Sequence, residues 1–192
     1  MLPSIKLLRE GVRRTCAPTF LALFTSPKFH GGRGAGYKQG RRVGVWGFVA
    51  SGRLFVAFLP AGRISGASHA KLVRRFYRQW AASSQAVFHD GEKALHSPPA
   101  RAAYKAAGTK CEKLPPYSPD LNPIENVWSL LDARLSATRP GGWEREKEFR
   151  ARVRNAVSWV NANHSAALAN MVSSMPRRMR AVVEAKGAMT PY

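Results

Sequence analysis

The feature that most constrains the fold is a pair of strand-like runs, at residues 42–50 and 53–59, joined by Ser51-Gly52. Both runs are rich in β-branched and aromatic residues, and a Ser-Gly pair between such runs favours a β-hairpin. Shorter apolar runs predict three further strands, at residues 19–25, 85–89 and 110–114. The chain therefore contains a sheet of several strands, beginning with antiparallel ones.

Helical patterns follow the hairpin and then alternate with the later strands. Residues 68–83 place Leu72, Phe76 and Trp80 on one stripe, which is typical of an amphipathic helix. Further helices are predicted at residues 100–107, at 122–135 and over most of 143–184, with breaks near Asn163 and Pro176. A hairpin followed by strand–helix alternation predicts an α/β fold, a mixed sheet with flanking helices.

The charge balance indicates a polyanionic partner. Thirty-one Lys and Arg face eleven Asp and Glu, a formal net charge of +20. Such an excess favours nucleic acid over a basic surface that binds nothing, because phosphate contacts release counterions. The DNA-binding candidates are the arginines of two predicted helices: Arg74, Arg75, Arg78, Arg177, Arg178 and Arg180. Each of them fits a solvated helix face equally well.

Other classes of protein receive less support. Cys16 and Cys111 lack the spacing of a zinc site or a disulfide framework, and no apolar run is long enough to span a membrane. The first twenty residues carry arginines and a single acid, Glu10, so a mitochondrial presequence is an alternative.

Two carboxylates are placed where they could hold a metal. Asp90 ends a predicted strand, Glu125 lies in the first turn of a predicted helix, and 34 residues separate them. Hard oxygen ligands of this kind suit Mg²⁺ or Mn²⁺. Each also has a structural explanation: Asp90-Gly91 is a turn dipeptide, and Glu125 could complete a capping box with Asn122.

Residues 114–135 carry a specific resemblance. The stretch reads LPPYSPDLNPIENVWSLLDARL and looks like the segment that closes the catalytic domain of mariner-like (Tc/mariner) DDE transposases. The resemblance assigns the third catalytic acid to Glu125 and the second to Asp90, at the family's usual interval. Two departures appear: Gly91 stands where the family has Asn, and His96 lies one residue too far from Asp90. We therefore interpret His96 as a surface or loop histidine and not a ligand.

The resemblance extends over roughly residues 20–192. Upstream, Val45-Trp46-Gly47 with Gly52 resembles the family's Trp-Gly hairpin, and residues 173–192 resemble its terminal segment. It implies a ribonuclease H-like catalytic domain at 19–140, a C-terminal helical extension at 141–192 and a poorly ordered remnant at 1–18. It also implies a DNA partner, Mg²⁺ or Mn²⁺ as cofactor, nuclear localisation and a homodimer as one form of the protein.

The first catalytic acid of the family is missing. Where the family has an acidic pair after its first strand, this chain has Ser26 and Pro27, and no carboxylate occurs between Gly11 and His89. The resemblance therefore predicts a transposase-derived DNA-binding protein whose strand cleavage and transfer are impaired. The alternatives are an active transposase or endonuclease, and a small basic RNA-binding or organellar protein.

Overall fold

A computed structural model describes residues 20–25, 29–30, 42–50, 52–59, 64–80, 86–116, 118–142, 144–188 and 190–192. The strands are β1 (Phe20–Thr25), β2 (Phe29–His30), β3 (Arg42–Val43), β4 (Val45–Ala50), β5 (Arg53–Phe58), β6 (Ala86–His89) and β7 (Lys110–Lys113). The helices are α1 (Gly66–Trp80), α2 (Pro98–Ala106), α3 (Pro123–Ala137), α4 (Glu146–Asn163), α5 (Ser165–Ser173) and α6 (Met175–Glu184).

Five strands form a mixed sheet in the order β5-β4-β1-β6-β7. The β5–β4–β1 half is antiparallel, and β1, β6 and β7 run parallel. Leu23 of β1 is level with His89 of β6, so both strands end at the same edge of the sheet, and Asp90 follows directly. Strands β2 and β3 form a separate two-stranded ribbon.

The sheet carries a hydrophobic core on each face, because successive side chains of a strand point to opposite sides. Val45, Val49 and Phe88 belong to a core with α3, α4, α5 and α6. Trp46, Phe48 and Val87 belong to a second core with α1 and α2. Asp90 lies two positions after Phe88, the β6 residue that packs in the core with α3.

The predicted elements are confirmed with shifted ends. The run at 42–50 divides at Gly44 into β3 and β4, and the two helices expected to begin at Ser68 and Ala100 begin at Gly66 and Pro98. Proline is tolerated in a first helical turn, where its missing N–H costs nothing, so it extends α2 toward its N-terminus. The predicted continuation of the first helix through residues 81–83 lies outside the described residues.

The capping box that was the structural alternative for Glu125 is not formed. Asn122 is the N-cap residue, but its side chain makes no hydrogen bond to the backbone of the first turn. Its amide nitrogen lies 3.4 Å from Glu125 Oε1 instead. The Glu125 carboxylate therefore does not reach back to the Asn122 backbone as a capping box requires.

Gly47 determines how closely α3 packs on the sheet. A Cβ atom there would lie 2.5 Å from Trp128 Cη2 and 3.2 Å from the Phe55 carbonyl oxygen. Only a residue without a side chain allows this indole, which extends from the helix that begins beside Glu125, to lie on β4.

We expect Gly47→Ala to lower the free energy of unfolding by about 1–3 kcal/mol, because the added methyl overpacks a rigid ring and a backbone carbonyl. Urea titration followed by tryptophan fluorescence measures the loss. Gly141→Ala is the matched control, since a Cβ at Gly141 meets nothing within 4 Å. Equal stability of the two variants would contradict this account of the contact.

Candidate active site

Asp90 and Glu125 come from different elements and meet at one edge of the sheet. Asp90 follows β6, and Glu125 lies in the first turn of α3. Glu125 is exposed as a residue, but its carboxyl group is partly desolvated, and that desolvation followed by the negative charge of Asp90 raises its pKa. The two acids are therefore close enough to interact electrostatically, which the interval of 34 residues alone did not establish.

The backbone around Asp90 is held from two sides. The Leu114 amide donates to the His89 carbonyl at 2.7 Å, which continues the β6–β7 pairing by one residue. His96 lies in a 3₁₀ turn at Lys93–His96, and its Nε2 donates to the Asp90 carbonyl at 2.8 Å. His96 thus binds the backbone of a catalytic candidate, a role that the one-residue shift in the motif concealed.

The turn before Glu125 is held by the C-terminal part of the chain. Asp120 is buried, and its Oδ2 accepts hydrogen bonds from the Thr190 backbone amide at 3.2 Å and the Thr190 hydroxyl at 2.8 Å. Arg178 of α6 donates to the Asp120 carbonyl at 2.7 Å. The turn at Asp120, which precedes α3 and Glu125, is therefore held in place by contacts with α6 and the segment after it.

Arg178 is a correction to the predicted DNA-binding set. It is 5% exposed, bonds to Ser174 Oγ at 2.8 Å, and has Tyr192 stacked 4.9 Å from its guanidinium. Burial lowers its pKa. The Arg178 guanidinium is therefore a buried structural group and not a surface charge. Its spacing could have shown this, because the buried residues of α6 (Met175, Arg178, Met179 and Val182) form one helical stripe.

The other predicted arginines divide into two groups. Arg74 and Arg75 are exposed on α1, and Arg177 and Arg180 are exposed on α6. No ion pair involves any of these four within the described ranges. The ion pairs that the structure shows join arginines and glutamates in or next to α4: Arg145–Glu148, Arg150–Glu146 and Arg152–Glu144. The Arg78 side chain lies outside the described residues.

Lys113 is a residue of the site region that the sequence did not indicate. Its Cε lies 3.3 Å from the position a Cβ of Gly91 would occupy, and its Nζ lies 3.9 Å from it. The absence of a side chain at Gly91, where the resembled family has Asn, leaves this space to the lysine. The positively charged Lys113 side chain therefore lies beside Gly91, the residue that follows Asp90.

Asp90 and Glu125 are the two carboxylates of the described residues that could hold a divalent cation here. Both offer hard oxygen ligands, and a cation between them would offset the Asp90 charge, which after desolvation is the second cause that raises the pKa of Glu125. In the part of the chain that the structure describes, no group of three or more His, Cys, Asp or Glu could hold a metal. The predicted position of the missing acid, Ser26-Pro27, lies outside the described residues.

Comparison with known proteins places this geometry in a family. The family model described as "DDE superfamily endonuclease" matches residues 27–146. The chain belongs to the DDE superfamily of endonucleases. The motifs at Asp90 and at residues 114–135 are thus not coincidental, which removes the interpretation as an unrelated RNA-binding or organellar protein.

Individual relatives narrow the likeness to Tc1/mariner transposases. The chain is 35% identical over 78 residues to the transposable element Tc1 transposase of Caenorhabditis elegans, which is 41% of this chain and 26% of that protein. It is 36% identical over 78 residues to the Tcb1 transposase of Caenorhabditis briggsae, with the same coverage. The matched region thus spans about a quarter of the length of these relatives.

Solved structures confirm the predicted ribonuclease H-like fold. The catalytic domain of Mos1 mariner transposase superposes with a TM-score of 0.73 at 12% identity, covering 97% of this chain and 92% of that one. The same domain with raltegravir and Mg superposes with a TM-score of 0.72 at 14% identity, covering 97% and 93%. No helix in the described ranges is long and apolar enough to cross a membrane.

Proposed function

We propose that this DDE-superfamily chain binds DNA and that its strand-cleaving site is impaired. The observation that carries the proposal is the pair of interacting carboxylates, Asp90 and Glu125, without a third metal-ligating group beside them in the described residues. The sequence supplies no other carboxylate between Gly11 and His89. Two carboxylates cannot neutralise two divalent ions against a phosphodiester, which the two-metal in-line displacement requires.

The residues present would hold one Mg²⁺ or Mn²⁺ weakly. When bound, such an ion would polarise a phosphate oxygen and lower the pKa of a bound water. Glu125 must lose its proton to coordinate, and its pKa is raised, so we expect metal affinity to increase as pH rises through that pKa. The Lys113 ammonium beside Gly91 further opposes a second cation.

A nicking assay tests the impairment. We expect the purified chain with Mg²⁺ or Mn²⁺ to cleave plasmid DNA no faster than its Asp90→Ala and Glu125→Ala variants, because a site lacking one of its charges binds metal loosely. Robust cleavage that either substitution abolishes would show a complete site and establish an active endonuclease.

Ser26→Asp tests where the missing acid belongs. If Ser26 occupies its place, the new carboxylate should raise Mn²⁺ affinity at least about tenfold, the effect of one charged contact. Ser4→Asp adds the same charge outside the predicted domain and serves as the control. If neither variant binds more tightly, the position of the first acid is not Ser26.

DNA binding is expected to be sequence-tolerant and steeply dependent on salt. If six or more phosphates are contacted, affinity should fall about 10³-fold or more between 50 and 200 mM salt. The paired substitutions Arg74→Ala and Arg75→Ala should each reduce the slope of log affinity against log salt by about one. Fluorescence anisotropy with two unrelated duplexes measures both quantities.

The matched control removes two charges that are already neutralised. Arg145 and Arg150 pair with Glu148 and Glu146, so Arg145→Ala with Arg150→Ala should change the slope less than the α1 pair does. Equal effects of the two pairs would mean that net charge alone, not the α1 surface, determines binding. Nuclear localisation and homodimer formation stay predictions from the resemblance, and mitochondrial localisation stays an alternative from the composition of the first twenty residues.

A further inference from the structure

A hydrogen-bonded series of four buried polar side chains crosses one face of the sheet beneath the candidate site. Trp46 on β4 donates from its indole nitrogen to His69 Nδ1 on α1 at 3.1 Å. The other ring nitrogen of His69 hydrogen bonds to the Tyr104 hydroxyl on α2, and that hydroxyl lies 3.4 Å from His89 Nδ1 on β6. All four residues are at most 2% exposed.

The first two hydrogen bonds of this series have a fixed direction. An indole nitrogen only donates, so His69 Nδ1 accepts, and the neutral ring carries its proton on Nε2. That proton is donated to the Tyr104 oxygen, and the Tyr104 hydroxyl in turn faces both His89 Nδ1 and the Cys111 thiol. Burial, together with the charge of His96, lowers the pKa of His69 to about 3, in agreement with a neutral ring.

The series of hydrogen-bonded side chains ends at His89, the residue that precedes Asp90. His89 Nε2 is a buried atom without a hydrogen-bond partner in the described structure, so the ring is oriented through Nδ1 and its contact with the Tyr104 hydroxyl. The His89 and His96 rings are in edge-to-face contact, with centroids 5.6 Å apart, and His96 holds the Asp90 carbonyl. The His89 ring thus connects the series of polar side chains to His96, which binds the Asp90 backbone.

An apolar side chain at position 104 would avoid the free-energy cost of burying a hydroxyl group. A buried polar side chain is favourable only when its hydrogen bonds are made, and phenylalanine at position 104 would fill nearly the same volume. What the hydroxyl adds is a fixed orientation of the His89 ring. Metal ligands must be held within a few tenths of an ångström, so the strand end that carries Asp90 requires such an orientation.

We propose that Tyr104 is a positioning residue for metal binding at Asp90, acting through His89 and His96. This inference rests on the proposed one-cation site and names the residues that set its geometry. Tyr104 does not touch the cation. Partners of this kind behind a metal ligand commonly change metal affinity by 10- to 100-fold.

The test compares Tyr104→Phe with Val73→Ala in the full chain. Val73 is fully buried on α1 in the same core and carries no polar group, so its truncation loosens packing while all four polar side chains are retained. Free Mn²⁺ is titrated by electron paramagnetic resonance, and stability is followed by urea unfolding. We expect Tyr104→Phe to weaken Mn²⁺ binding about tenfold and Val73→Ala to leave it within twofold while the protein is folded.

A spectroscopic readout separates positioning from general loosening. The ¹⁵N shifts of the His89 ring report its tautomer populations, and we expect Tyr104→Phe to change them while Val73→Ala leaves them unchanged. Unchanged Mn²⁺ affinity in Tyr104→Phe, or equal losses in both variants, would overturn the inference. If the unsubstituted chain binds no Mn²⁺, or if Glu125→Ala binds it equally well, the one-cation site itself is wrong and the inference fails with it.

Discussion

Acidification from pH 8 to pH 5 is expected to lower the free energy of unfolding by about 2 kcal/mol through His69 alone. The pKa of His69 is about 3 in the fold, against 6.5 for an unperturbed histidine such as that of the unfolded chain. Its neutral ring accepts the Trp46 indole proton, so protonation breaks a buried hydrogen bond. The stabilisation is present above pH 6.5 and is lost as pH falls toward 3.

His89 adds to this acid sensitivity in the same direction, because burial holds its pKa well below the usual value. Glu125 acts in the opposite direction. Its raised pKa means that the folded chain retains a proton that the unfolded chain has lost, which decreases stability as pH rises above 4.5. The histidines should dominate near pH 5, where each takes up close to one proton on unfolding.

Urea unfolding at several pH values measures the effect. His69→Phe should remove about 1.4 kcal/mol per pH unit from the slope near pH 5, whatever it does to stability at pH 8. His164 lies at the junction of α4 and α5, outside the buried series of polar side chains, so His164→Phe is the control for the removal of a histidine. An unchanged slope in His69→Phe would show that His69 titrates normally in the fold.

Loss of the Arg178 guanidinium is expected to destabilise the protein by about 2–4 kcal/mol. Arg178→Met keeps most of the buried stem but leaves the Asp120 carbonyl without its donor and removes the cation stacked on Tyr192. The damage should extend to the turn before Glu125, because the Asp120 carboxylate and backbone anchor that turn to α6 and Thr190.

Arg180→Met is the matched control. Arg180 is exposed on the same helix, so its replacement should change the free energy of unfolding by no more than about 0.5 kcal/mol. DNA affinity should show the reverse order: Arg180→Met should weaken binding, and Arg178→Met should not once the folded fraction is accounted for. A stability loss as large in Arg180→Met would contradict the burial-based distinction between the two arginines.

The local part of the fold was predictable from the sequence. Short apolar runs rich in β-branched and aromatic residues predicted the strands, and Ser51-Gly52 predicted the hairpin, where Gly52 has a φ of +74°. The apolar spacing of Ile124, Trp128 and Leu131 predicted the buried face of α3. These features depend on residues a few positions apart, whose backbone preferences and periodicity operate before any tertiary contact forms.

The two site carboxylates were identified by motif, and their proximity was decided by the tertiary structure. Parallel pairing of β6 with β1 and the packing of α3 on the sheet bring Asp90 and Glu125 into electrostatic contact. No spacing rule specifies this, because the distance between a strand end and a helix start depends on how close the helix packs. Here Gly47 leaves room for the Trp128 ring, so α3 packs closely on β4.

The sequence by itself determined the order of strands and helices, the basic charge and the two acids. Only the tertiary structure decided which partners the buried polar groups have. Arg178 bonds to a carbonyl 58 positions away, and Tyr104 joins histidines 35 and 15 positions away. An arginine or histidine has the same local preferences whether it faces water or a buried carbonyl, so its role follows from the partner that packing brings to it.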